Sequence, residues 1–168
     1  ISSDLSLKKD TTTGKVLYVG NLKSPGINAG TFLQLDDFGM AAFDISINGS
    51  GMSKENMTAK LGGVVSQLSI RDYTYKNIEL EGIIANRLFE GSLMVKDDNI
   101  DLEFDGHVNF SADPPKFNFN STISHANLNA LNLVKNEQTA DFSVMMVSNF
   151  EGSNLDNMMG SLELHNIK

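Results

Sequence analysis

The sequence has no cysteine, no tryptophan and only three prolines, and no apolar run reaches the roughly 20 residues of a membrane helix. Without cysteine there is no disulfide, no thiolate nucleophile and no cysteine-based zinc site. That absence fits the cytosol, and equally a periplasmic protein without bridges. Positive charge is scarce as well. Thirteen Lys and Arg stand against 21 Asp and Glu, a net charge of −8. The basic residues are scattered singly apart from Lys8-Lys9, so the clustered cations that bind a phosphate backbone are missing. Nucleic acid is not an expected partner.

What the sequence does have is alternation. From Asn99 to Phe110 every second residue is apolar or Gly, and those between are polar or charged. Successive strand side chains point to opposite faces, so this segment has one oily face and one acidic, wet face. Similar stretches start at Leu5, Lys15, Ala41, Gly63, Tyr73, Leu88, Lys116, Ala140 and Gly160. Turn signals separate them: Ser24-Pro25-Gly26, Gly49-Ser50-Gly51, Arg71-Asp72, Asn86-Arg87, Asp97-Asp98-Asn99, Asp113-Pro114-Pro115 and Ser153–Asn157. The pattern predicts about ten strands joined by short loops, an antiparallel meander. Helical spacing is confined to short pieces. Leu128 and Leu131 predict one helical turn, Phe32, Leu33 and Leu35 fit a helical turn or an edge strand, and Ser53–Met57 is a polar connection.

Residues 1–168 are expected to form a single β-rich segment of a larger repeat protein, because both ends fall beside alternating stretches. Phe43–Ile47, Gly49-Ser50-Gly51 and Asn56-Met57 are echoed about 100 residues later by Phe142–Met146, Gly152-Ser153 and Asn157-Met158. The echo suggests a loose repeat over 39–138, with the next unit starting in 139–168.

No group of residues specifies a reaction. Asp97, Asp98, Asp101, Glu103 and Asp105 are the densest acidic cluster. Their spacing superficially resembles a calcium loop, but Ala112 stands where a bidentate Glu is needed. They read as a solvated strand face, with no metal expected. His107, His125 and His165 lie in separate elements without metal-ligand spacing. There is no nucleophile elbow, and Gly49-Ser50-Gly51 lacks the ending of a phosphate loop. The chain is expected not to be an enzyme and to need no cofactor. Asn48, Asn56, Asn109 and Asn120 head N-x-Ser/Thr patterns that chance explains in an Asn- and Ser-rich chain. Eight Met and ten Phe suit a plain core, or a lining of soft side chains against mobile acyl chains.

The order of several motifs resembles the TamB family within the AsmA-like group of bacterial envelope proteins. These are Gly39–Gly51, Leu61-Gly62-Gly63-Val64-Val65 and Tyr73-Thr74-Tyr75-Lys76-Asn77-Ile78-Glu79-Leu80-Glu81-Gly82. Leu88–Leu93, Phe104-Asp105-Gly106, Pro115–Phe119, His125–Leu133 and Asn154–Gly160 are similar to the version found in Bacteroidota. The resemblance covers about residues 39–168. It implies a periplasmic segment of an inner-membrane-anchored protein that supports outer-membrane biogenesis. It also implies an open half-pipe, a β-taco-like groove, that carries phospholipid between the membranes, and a BamA/TamA-like outer-membrane partner reached through the parent chain. No catalytic residue is carried over.

On that reading the groove lining comprises Ile45, Ile47, Val64, Leu68, Ile70, Ile78, Leu80, Ile100, Leu102, Phe104, Val108, Phe110, Phe117, Phe119, Ile123, Phe142, Val144 and Met146. Phospholipid acyl chains are the expected ligand. No membrane-spanning part is expected, and the edges at Leu5–Leu7 and Leu162–Leu164 are expected to pair with another strand or form an edge-strand dimer. Two other readings use the same alternation. One is a structural or adhesive β-sandwich of a surface protein, its apolar face sealed by a second sheet. The other is a chaperone-like scaffold for outer-membrane protein assembly or secretion, recognising strands by edge addition.

Overall fold

The computed structural model describes residues 2–33, 37–53, 56–134, 141–152 and 158–166. The turn expected at Ser153–Asn157 lies outside them. The strands are β1 (Ser2–Lys9), β2 (Val16–Asn28), β3 (Phe38–Ser50), β4 (Thr58–Ile70), β5 (Tyr73–Ala85), β6 (Leu88–Asp97), β7 (Ile100–Asn109), β8 (Lys116–Asn127), β9 (Asp141–Glu151) and β10 (Met159–Asn166). They form one antiparallel sheet in strict chain order, β1 to β10, and the ends do not close into a barrel. Two-residue hairpins make this order local. Arg71 has φ +51°, and Asn86 and Arg87 have φ +50° and +65°, the left-handed pair of a tight hairpin turn.

Helix is minimal. α1 (Ala29–Leu33) is one turn, started by Asn28 Oδ1, which accepts the Thr31 N–H at 2.8 Å. The turn expected at Leu128–Leu131 also forms. The Leu131 N–H reaches Asn127 O at 3.0 Å, and Asn132 at φ +60° stops it. The Leu133 N–H then closes back on Leu128 O at 2.9 Å, the pattern of a Schellman stop.

Cross-strand register sorts side chains into rows. One row on the apolar face runs Phe43, Val65, Ile78, Val95, Leu102, Ile123, Val144. The next runs Ile45, Gly63, Leu80, Leu93, Phe104, Ser121, Met146. Beyond the first row the register slips, at Ser24/Ile27 in β2, Ala42/Phe43 between β3 and β4, and Ile123/Ala126 in β8. Asn77 in β5, at φ +51°, sits at the same level. Bulges bend and twist the strand that carries them, and here they lie in a line across the sheet.

That line corrects two sequence expectations: Ser24-Pro25-Gly26, expected to separate strands, is a bulge inside β2, and Val64, expected inward, faces out. Strict alternation puts Val64 with Leu68 and Ile70. The irregularity after Val65 instead turns Val64 to the polar face opposite Asp44 and Glu79, where it is 41% exposed, and Val65 takes the inward place.

Glycines on the apolar face allow the strands to lie close. A Cβ on Gly106, at φ +155°, would meet Asn118 O at 2.4 Å; on Gly63, at φ +151°, it would meet Asp44 O at 2.3 Å. This region of φ is essentially reserved for glycine. Rings fill the space that missing side chains leave: Tyr18 lies against Gly49 and Phe89 against Gly82.

A flat single sheet leaves both faces to water. Here Ile78, Val95 and Val144 are about nineteen-twentieths buried, whereas the outward Glu79, Glu103 and Met145 are exposed. The sheet therefore curls about its apolar face. Leu131 and Leu128, from the turn after β8, pack on the Val65–Ile78–Val95–Ile100–Ala126 cluster and cover one end of it. Among the described residues the rest has no second sheet over it, since all ten strands belong to one. The accessible surface is 10959 Å², against roughly 8,100 Å² for a compact monomer of this mass. The excess fits an open trough and not a sandwich.

Candidate functional site

The trough is built from the inward residues of all ten strands. Of the expected lining, Ile45, Ile47, Leu80, Leu102, Phe104, Val108, Phe117, Phe119, Ile123 and Met146 face inward and are half-buried. Ile78 and Val144 are buried deeper in the same face. Leu68, Ile70, Ile100 and Phe142 share the inward face beyond the bulge line, with Phe142 39% exposed. Phe110 lies past the end of β7 and is 49% exposed at the rim, because the break before Pro114 ends the strand at Asn109. Val64 is on the other face.

Three strands, β7 to β9, and Phe110 just after β7 supply an aromatic wall at the end away from Leu131. Phe117 stacks on Phe150 at 4.8 Å, Phe104 lies 5.1 Å from Phe119, and Phe110 meets Phe117 edge-on at 6.1 Å. β7, β8 and β9 pair in register, so these rings meet from adjacent strands. Beneath them Ser121 and Ser148 are buried, and among the described residues neither Oγ has a hydrogen-bond partner, nor does Tyr18 Oη. Such groups destabilise a dry floor, each by about 1–3 kcal/mol.

The polar face carries a different feature. A shallow furrow of about 660 Å³ crosses β4 to β8 between two outward rows, Val64, Glu79, Met94, Glu103 on one side and Glu81, Ser92, Asp105 on the other. Its carboxylates are partly paired: Lys60 Nζ sits 3.2 Å from Glu81, and Lys96 Nζ 2.6 Å from Asp101 and 3.9 Å from Glu103. The Asp101 carboxylate holds the Lys96 ammonium above its ordinary pKa. No group of three or more His, Cys, Asp or Glu among the described residues could hold a metal ion.

Asp97 departs from the solvated-face reading. It accepts the Tyr73 hydroxyl, the Lys76 N–H at 3.0 Å and the Asn99 N–H at 3.0 Å, and Asn99 Nδ2 donates to Tyr73 Oη at 3.0 Å. It ties the β5 and β6 ends together. Burial first, then the bond to Asp97, pushes the Tyr73 phenol up.

Sequence reasoning left Val65, Leu93, Val95, Leu131 and Phe150 out of the lining, although all belong to the inward packing. The in-register neighbours of Ile78 and Leu80 would have found Val95 and Leu93. Among the described residues no helix is long and apolar enough to cross a membrane. Comparison with family models, with curated proteins and with solved structures found no match.

Proposed function

We propose that this chain is a periplasmic segment of a TamB/AsmA-like envelope protein and that its trough carries phospholipid acyl chains between membranes. The observation that supports the reading is an apolar face, half-buried from β2 to β9 of a ten-stranded sheet, with no second sheet upon it among the described residues. Ten strands at about 4.8 Å spacing extend roughly 43 Å, well beyond the roughly 15 Å of one leaflet's hydrocarbon. An acyl chain lying across the strands stays in contact with Leu, Ile, Phe and Met along its length. Each methylene kept from water is worth about 0.8 kcal/mol, so continuity matters more than any single contact. The acidic outer face keeps the structure in water. No catalytic residue, metal or cofactor is needed.

Native mass spectrometry of the purified chain is the test. Bound phospholipid is the expected result, and its loss in Phe119→Arg or Leu102→Glu variants of unchanged circular dichroism. Bare protein throughout, or wild-type lipid capture by both variants, would sink the proposal.

A further inference from the structure

We infer that Ser121 and Ser148 form a polar station in the apolar trough, where their hydroxyls hold the two ester carbonyls of a diacyl phospholipid. The inference rests on the acyl-chain reading and names the part of the lipid that the trough recognises.

Register places the pair. Ser121 in β8 stands opposite Phe104 of β7 and Met146 of β9, and Ser148 in β9 stands opposite Phe119 of β8. Ser148 is two residues beyond Met146, so the two serines are diagonal neighbours on the inward face. Such neighbours lie about 7–8 Å apart, and less between their Cβ atoms. Ser121 is 3% exposed and Ser148 2%. Among the described residues neither Oγ has a hydrogen-bond partner. Buried hydroxyls are normally hydrogen-bonded, and two unpaired ones side by side destabilise the wall they sit in. A ligand group that bonds both is held by that difference.

The surroundings select the group. The inward residues around the pair on β8 and β9 are Phe117, Phe119, Met146 and Phe150, and none carries a charge. Lys116 lies on the other face, its Nζ 3.2 Å from Glu151. A phosphate or a free carboxylate would be buried here without a counter-charge, which is strongly unfavourable. An ester carbonyl is uncharged, accepts a hydrogen bond and continues directly into an acyl chain. A diacyl phospholipid carries two of them on adjacent glycerol carbons, one for each hydroxyl. Its tails then run onto the flanking Phe, Leu and Met.

Access is through the aromatic wall. Phe104 and Phe119, 5.1 Å apart, occupy the positions opposite the two serines and cover them. Both rings are half-buried at the open trough, so a change of χ1 rotamer uncovers the hydroxyl beside each.

The test compares two lipids that differ only in those carbonyls: dioleoyl phosphatidylethanolamine and its ether-linked dioleyl analogue, titrated against the purified chain by native mass spectrometry. The wild type is expected to bind the ester lipid about tenfold more tightly, from two hydrogen bonds. A Ser121→Ala, Ser148→Ala double variant of unchanged circular dichroism should lose that preference and bind both lipids as the wild type binds the ether. Equal binding of the two lipids by the wild type would overturn the inference and leave the acyl-chain reading standing, and this comparison needs no variant. An ester preference that survives in the double variant would overturn it as well. Binding of neither lipid would defeat both readings together.

Discussion

Leu93 in β6 and Leu164 in β10 stand in one row of the sheet, on the same face, in equally alternating segments. Leu93 is half-buried, and Leu164 is 57% exposed. The middle strands have a neighbour on both sides, a line of bulges that bends them inward, and Leu131 across one end of their face. Among the described residues the edge strands have one neighbour and no cover. Alternation therefore sets which face a side chain takes. Position within the curl sets how dry it becomes.

The sharpest way to break the comparison is to stiffen the middle. Gly106→Val would force a Cβ to 2.4 Å from Asn118 O at φ +155°, and we expect a loss of roughly 3 kcal/mol or more in urea unfolding. Gly14, in the β1–β2 turn at φ +71°, has nothing within 4 Å of its ideal Cβ. Gly14→Ala should cost only about 1 kcal/mol, for the left-handed backbone alone. Equal losses would mean that the close approach of β7 and β8 is unimportant.

Removing the cover comes next. Leu131 is 3% exposed, and Leu131→Ala should destabilise by about 2–5 kcal/mol. Leu164→Ala on the edge should stay within about 0.5 kcal/mol in the monomer. Thermal or urea midpoints read both. Tyr73→Phe removes the donor to Asp97 and the acceptor for Asn99 Nδ2, and about 1–3 kcal/mol is expected from that network.

The smallest effect is one of pH. Burial holds the phenols of Tyr18, Tyr73 and Tyr75 above their ordinary value of 10.0. A folded pKa raised above the unfolded one means that the native state keeps its proton longer. Its contribution is complete below pH 10 and is lost as pH rises through the raised values. Stability should be flat through neutrality and fall above about pH 10, in step with phenolate absorbance. Normal phenol titration in the folded chain would contradict the burial.

Much of this architecture was legible in the sequence. The strand count, the hairpin at Asn86-Arg87 and the inward register of Ile100–Val108 follow from alternation and turn residues alone. The bulge line does not. Val64 and Val65 are adjacent and equally apolar, so nothing local says which faces in, and the pairing with Phe43 and Ile78 decides it. Asp97 looked like one more surface carboxylate because its partner Tyr73 lies 24 residues away. Leu131 read only as part of a helical turn, since its packing value depends on the sheet beneath it. Alternation also cannot separate a trough from a sandwich, because both bury one face. That distinction came from the single sheet and the surface area.

The chain contains no tryptophan, so one introduced indole reports on one face. Phe104→Trp places it in the trough, and Glu103→Trp places it one residue away on the acidic side. With phospholipid brominated along its acyl chains, quenching of the indole at 104 and not at 103 is the expected result. Equal quenching at both positions, or none at either, would contradict an accessible apolar trough that takes up lipid tails.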